Sequence, residues 1–277
     1  MWKRVTKSQR KVLLVLLAVF GGIYNNYLAL EAAIHDARDR GADAFYCLGD
    51  MGAFGPHPDR VFPLLRENGV VCVQGNYDNS IGNDLTDCQC GYIDPRDNHF
   101  AKLSYDYTYA NTSPENRRWL RELPNELRLC LDGSEILMCH GSPRRTNEFL
   151  WESTTSTHFL NKLADDFQAD LILATHTGIH WQRELSDGRR FVNVGVLGRP
   201  ENDGRTNVWY TLVRTGCGAM AGGVDIEFVP LDYDHARLAA EMRTEQIPSE
   251  FVQTIESGWW TTCLEILPSR ERRRGPF

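Results

Sequence analysis

Short apolar runs, each closed by Gly, Asp or Asn, recur along this chain and alternate with stretches whose apolar residues fall at helical spacing. The first run, 12–20, stops at Gly21-Gly22. Residues 27–40 then carry Leu28, Leu30, Ala33, Ile34 and Ala37 on one face, and Gly41 supplies the stop expected of a helix C-terminus. Residues 44–48 form a second predicted strand. Residues 58–68 form a second helix with Val61, Phe62, Leu64 and Leu65 inward, and 70–73 a third strand. A β-α-β-α-β opening predicts a parallel, doubly wound sheet, because parallel neighbours need a helical crossover.

The pattern then changes. Residues 79–99 are polar, rich in Gly and Asp, and predict an insertion folded over the loop that leaves the third strand, as a wall or lid. Ser113-Pro114-Glu115 opens a helix to about residue 122, with serine as cap and proline at the first helical position. The runs 126–131 and 135–139 flank Asp132-Gly133, a strong hairpin signal, so antiparallel pairing begins here. A helix over 157–167, a strand over 171–174 and a second hairpin (182–185, 189–194, across Asp187-Gly188) follow. Strands 208–213 and 224–229 form a second antiparallel group, and helices over 234–243 and 248–255 precede Trp259-Trp260, which reads as packing or as a cleft wall. Without an internal repeat or a low-complexity linker, the expectation is one domain over 1–277. Its core spans about 12–230, and a helical extension spans 231–277.

Bulk properties alter this picture little. The 277 residues, 42% hydrophobic and 24% charged, suit a globular protein with a substantial core. A net charge of −7 argues against a broad nucleic-acid surface, and the basic run 270–274 reads as a solvated tail. The eight cysteines are scattered without a CxxC pair, which fits a reducing cytoplasm; Cys88-Gln89-Cys90 is the exception, a structural, redox or metal clip. Lys3, Arg4, Lys7, Arg10 and Lys11 before the 12–20 run resemble a signal peptide. That run is too short to span a bilayer, which takes about 20 residues. Its direct continuation into a Gly-Gly turn and a helix favours a core strand.

Chemistry gathers at the strand ends. Asp50 follows the second strand, Asn76 the third, His140 the strand 135–139 and His176 the strand 171–174. Ligands of open α/β sheets sit at this edge. A carboxylate, an amide oxygen and two imidazoles suit one divalent transition metal, Mn²⁺, Fe²⁺ or Zn²⁺. Any one of these residues alone is also a common turn residue; the set in this order is the signal.

The motifs Gly49-Asp50, Gly75-Asn76-Tyr77-Asp78 (GNHD in the family), His140-Gly141-Ser142-Pro143, Thr175-His176-Thr177-Gly178 (GHTH) and residues 193–200 (NPGSVGQP) resemble the calcineurin-like metallophosphoesterases, from about residue 12 to 213. The resemblance, to the bacterial phosphodiesterase-like branch, implies a four-layer α/β/β/α sandwich of two mixed sheets flanked by helices, with two metals between the sheets. The departures from it are systematic. The family's DIHGN aligns with residues 22–26, so its Asp and His become Gly22 and Tyr24, and the second His of GHTH becomes Gly178. These three positions are the ligands private to the first metal. Asp50, the bridging residue, and Asn76, His140 and His176, the second metal's ligands, all remain. The resemblance thus implies a site reduced to one metal, with Asp78 and Asn26 orienting the ligands from behind.

Tyr24 is expected to fill the vacated volume. The alternative is a phenolate ligand to a strong Lewis acid such as Fe³⁺, or recruitment of His180 or His57. Tyr77, at the GNHD histidine position, is a poor general acid at neutral pH. Arg144 and Arg145 offer bidentate phosphate contacts, with an exposed basic loop as the plainer reading. The favoured function is a phosphoesterase that acts on a small phosphorylated substrate, monoester or diester, with a water on the single metal and with Asp50, Asn76, Tyr77, His140 and Arg144 as its catalytic set. The alternatives are a pseudoenzyme that binds a phosphorylated ligand or a partner protein, and non-hydrolytic redox chemistry at iron.

Overall fold

A computed structural model describes residues 14–131, 133–216 and 224–273. Residues 12–13 of the first predicted strand, the five basic residues before it, Asp132 of the hairpin turn and Arg274 of the basic run lie outside these residues.

The opening follows the predicted alternation. Strand β1 (Leu16–Phe20), helix α1 (Tyr27–Asp39), strand β2 (Ala44–Cys47), helix α2 (Val61–Glu67, entered through a 3-10 turn at Pro58–Arg60) and strand β3 (Val71–Cys72) succeed one another. β1, β2 and β3 pair in parallel. Helices α3 (Asn76–Gly82), α4 (Pro95–Asn111) and α5 (Pro114–Arg121) lead to a second sheet. It holds β4 (Glu126–Leu131), β5 (Ser134–Cys139), β6 (Leu171–Ala174), β7 (Trp181–Glu184) and β8 (Arg190–Asn193), with α6 (Thr157–Asp166) crossing between β5 and β6. Its order is β4-β5-β6-β8-β7.

The chain then returns to the first sheet. β9 (Val208–Arg214) pairs antiparallel with β1, and β10 (Asp225–Leu231) pairs antiparallel with β9, giving the order β10-β9-β1-β2-β3. The opening alone predicts a parallel sheet; the sheet is mixed because these late strands complete it. Helices α7 (His235–Thr244) and α8 (Ser249–Ser257) follow. Among the described residues no helix is long and apolar enough to cross a membrane.

The sheets pack face to face. Leu17, Val19, Leu48 and Val73 of the first meet Ile136, Met138, Leu171, Leu173, Val192 and Val194 of the second. The alternate residues of β1, Leu16, Ala18 and Phe20, point outward under α1 and α2. A strand covered on both faces can be apolar throughout, which is why its sequence shows no alternation. On the far side, Leu160, Leu163 and Ala164 of α6 cover Leu137, Ile172 and Phe191. The result is the four-layer α/β/β/α sandwich.

Two helices depart from the sequence reading. Asn76, expected on a loop, is the first residue of α3, and α4 runs through the end of the segment expected to be an irregular insertion. In α4, Tyr105, Tyr107 and Tyr109 alternate as in a strand, whereas its buried residues Phe100, Ala101, Ser104, Tyr105 and Thr108 keep helical spacing. The N-terminal signal is present: Asp94 caps the backbone N–H groups of Arg96 and Asp97 at 2.8 and 3.4 Å, with Pro95 next.

Leu173 has no exposed surface and lies between the sheets. Leu173→Ala is expected to cost roughly 2–5 kcal/mol, read from denaturant unfolding, with an unchanged far-ultraviolet dichroism spectrum.

Candidate metal centre

Loops at the carboxyl ends of β2, β5 and β6 carry Asp50, His140 and His176 to adjoining positions, and Asn76 opens α3 after β3. Asp50 (φ 56°) and His176 (φ 71°) both adopt left-handed backbone, uncommon for non-glycine residues and a conformation that persists only where the surroundings hold it. Asp78 holds Asp50. Its carboxylate accepts hydrogen bonds from the N–H groups of Asp50 (2.7 Å), Met51 (3.0 Å) and Gly75 (2.8 Å), binding the two loops together. The loops touch so closely that a Cβ on Gly75 would stand 2.3 Å from Asp50 Oδ1, so only glycine fits there. The buried Asp78 carboxyl is pushed up to about 6, first by loss of hydration and then by Asp50; the amides of Gly75 and Met51 oppose this.

His140 Nδ1 lies 2.6 Å from the carbonyl oxygen of Leu48 and so donates its proton there, leaving Nε2 facing the site. That Nε2 is 3.2 Å from Asp50 Oδ2 and 3.1 Å from His176 Nδ1. Burial opposes charge on His140, but attraction to Asp50 outweighs it and raises the imidazole above its ordinary range. The same pairing, against burial, holds Asp50 low. His176 is driven down to about 3 by burial and then by its neighbour His140, and is therefore neutral. Asp50 Oδ1 accepts the Tyr77 N–H at 3.0 Å.

Asp50, His140 and His176 form a buried group whose ligand atoms lie within 4.8 Å of one another, a set that could hold a metal ion. Asn76 opens α3 between Gly75, which abuts Asp50, and Tyr77, whose N–H Asp50 accepts. Its Nδ2 donates to the Cys88 carbonyl at 2.9 Å, which turns Oδ1 the other way. Asn76 Oδ1 and His176 Nε2 are both buried without a hydrogen-bond partner. Orphaned buried polar atoms are rare; a cation would take the lone pair of the amide oxygen and, displacing its proton, that of the imidazole nitrogen. The residues fit a metal.

At the positions where the resemblance places the first metal's ligands, the space is filled, by Tyr24 in the way expected of it. The Tyr24 ring lies where side chains on Gly22 and Gly198 would stand, 2.4 and 2.3 Å from the Cβ positions. Gly178 (φ 82°) leaves room for Trp260, 3.2 Å from its Cβ position, and for Arg199 Nη2 at 3.6 Å. The Tyr24 phenol is raised, chiefly by burial, which disfavours a phenolate. A cavity of about 50 Å³ remains, lined by Tyr24, Asp50, Tyr77, Tyr92, His176 and Arg199 among others.

Other candidates stand apart. Arg144 is exposed, forms an ion pair with Glu148 and lies over Phe159, 4.6 Å from the ring centroid. Arg145 is also exposed. His180 is bound to Glu201 at 2.6 Å and packs on Trp209, and His57 faces Glu241 and Glu245. Asn26 caps α1 through Ala29 and donates to the Leu197 carbonyl at 3.0 Å, so it positions the loop before Arg199 rather than a metal ligand. The Tyr77 hydroxyl bonds Ser104 (3.1 Å) and the Ala101 carbonyl (3.3 Å). Part of the polar segment does wall the cavity, through Cys90 and Tyr92, and Cys88 and Cys90 are joined by a disulfide. Arg199 escaped the sequence reading; its signal was the substitution of arginine for the glutamine of NPGSVGQP.

A buried carboxylate, amide and two imidazoles at paired strand ends of an α/β/β/α sandwich define a metallohydrolase-like class of site. The chain belongs to the calcineurin-like phosphoesterase superfamily, whose domain matches residues 16–215. It is 24% identical over 249 residues to an uncharacterised protein of Methanocaldococcus jannaschii, covering 84% of this chain and 94% of that one. The fold is shared with a crystal structure of a metallophosphoesterase from Sphaerobacter thermophilus (TM-score 0.66, 23% identity, 89% of this chain and 100% of that). It is also shared with a hypothetical protein from Pyrococcus horikoshii OT3 (TM-score 0.72, 21% identity, 89% and 100%).

Asp78→Ala would strand three buried N–H groups. It is expected to cost about 3 kcal/mol or more, at roughly 1–3 kcal/mol per unpaired group, measured by denaturant unfolding.

Proposed function

We propose that this chain is a hydrolase of phosphoesters that works with one divalent transition metal (Mn, Fe or Zn) held by Asp50, Asn76, His140 and His176. The observation that supports the reading is the buried Asp50, His140 and His176 cluster, with ligand atoms within 4.8 Å of one another, together with the unpartnered buried atoms Asn76 Oδ1 and His176 Nε2. When bound, such a cation supplies Lewis-acid polarisation of a phosphoryl oxygen and makes a nucleophile available at neutral pH. The chain's own part is to hold the donors in place. The Leu48 carbonyl fixes the His140 tautomer, the Tyr77 amide orients Asp50, and Asp78 locks the loop between them. Tyr77 contributes its amide and ring to the site, since its hydroxyl is engaged by Ser104. The substrate is a small phosphorylated molecule, because the cavity is narrow and the net charge of −7 disfavours nucleic acid. The protein acts as a single unit over 1–277, with α7 and α8 as a C-terminal extension of the core. Its five free described cysteines suit a reducing cytoplasm, Cys88–Cys90 excepted.

A second reading, a binding protein for a phosphorylated ligand, is favoured by the filled positions at Gly22, Tyr24 and Gly178. Hydrolysis of p-nitrophenyl phosphate and bis-p-nitrophenyl phosphate with added Mn²⁺ or Zn²⁺ separates the two. The hydrolase reading expects turnover that falls about a hundredfold or more in Asp50→Ala and after chelation, with loss of stoichiometric metal from Asp50→Ala by elemental analysis. Metal and phosphate binding without turnover of either ester would favour the binding protein.

A further inference from the structure

Arg199 has no evident structural reason to be where it is. It is buried, 6% exposed, yet its Nε has no hydrogen-bond partner and it enters no ion pair among the described residues. The nearest acid along the chain, Glu201, is taken by His180. A guanidinium is a permanent cation with five N–H donors, and burying it unpaired is costly. Its faces are occupied: Trp260 lies over it, with the ring centroid 3.6 Å from Cζ, and Phe54 and Tyr24 lie at 5.7 and 5.9 Å. Stacking of this kind holds the plane and leaves the N–H edge free. Arg199 lines the cavity that Asp50 and His176 also line.

The placement is built into the backbone. The N–H groups of Leu197 and Gly198 both donate to the Gly22 carbonyl (3.0 and 2.9 Å), and Asn26 grips the Leu197 carbonyl, so the loop entering Arg199 is bound to the β1–α1 loop. Gly178 opens the space beside Nη2. The side chain therefore stands against the positions where the ligands of a first metal are lacking.

We infer that Arg199 is the oxyanion-binding group of this site, taking the oxygens of a tetrahedral phosphoryl group on its free N–H edge in place of a first metal. The fork of a guanidinium matches two such oxygens in a way no single-point cation does. The cavity, about 50 Å³ where roughly 10–15 Å³ on the same measure holds one water, is large enough to take a phosphoryl group. The inference rests on the phosphoryl-ligand part of the function proposed above, and holds whether or not the ligand is then hydrolysed.

The test is titration calorimetry of orthophosphate into the full chain loaded with Mn²⁺, for wild type, Arg199→Gln and Arg199→Lys, with metal content and unfolding measured on each. The expected result is binding by wild type, about 10- to 100-fold weaker binding by Arg199→Gln and an intermediate loss in Arg199→Lys, with metal content unchanged. Orthophosphate bound by Arg199→Gln with wild-type affinity, or not bound by wild type, overturns it. If Arg199→Gln does not fold, Arg199→Lys decides, since it keeps the charge and removes the fork; unchanged affinity overturns the inference. Phosphate binding that depends on Arg199 without turnover of either ester would sink the hydrolase reading alone. Turnover with phosphate binding indifferent to Arg199 would sink this inference alone.

Discussion

The site depends on one buried carboxylate that touches no substrate. Asp78 gathers three backbone N–H groups from two loops, and those loops end strands β2 and β3. Buried amides must be paired, and no other acceptor reaches these. Through them Asp50 is kept in left-handed backbone with its carboxylate toward His140, and Gly75 is kept close enough for Asn76 to start α3 beside it. Donor placement is thus a consequence of how two strand ends are tied, and of glycine at the one point where they touch.

Around that anchor, the positions where the chain departs from the family pattern are filled by large side chains. Where the resemblance calls for metal ligands, the chain has Gly22, Tyr24 and Gly178: the Tyr24 ring lies over Gly22 and Gly198, and Trp260 and Arg199 lie beside Gly178. The aromatic rings exclude water and the arginine brings positive charge. Low hydration strengthens every charge interaction inside, which drives His176 neutral while His140 and Asp50 stabilise one another as an ion pair.

Much of the fold was legible in the residues because strand ends are marked by chemistry as well as by hydrophobicity. The run 171–174 matches β6, and both hairpins fall within a residue or two of their predicted bounds, since an Asp-Gly step in the sequence marks where the chain reverses. Helix α4 was not legible, because alternating tyrosines imitate a strand and its buried face includes Ser104 and Thr108. Asp50, His140 and His176, which the fold brings within 4.8 Å of one another, were legible together with Asn76 as a candidate set at the strand ends. That Arg144 turns to Glu148 instead of the cavity was not, for a loop arginine can reach in many directions and its nearest acid decides.

The sequence by itself determined the order of strands and helices and the metal-competent residue types at the strand ends; the four-layer arrangement and the departures at Gly22, Tyr24 and Gly178 were legible only through the family resemblance. Only the tertiary structure decided what occupies the lost side. Tyr24, Arg199 and Trp260 are separated by up to 236 residues along the chain, yet they meet because the loop at Gly198 is bound to the loop at Gly22 and the C-terminal helices bring Trp260 onto Arg199. Contacts between such distant segments leave no periodicity in the sequence. What they leave is a glycine wherever a neighbour needs the space.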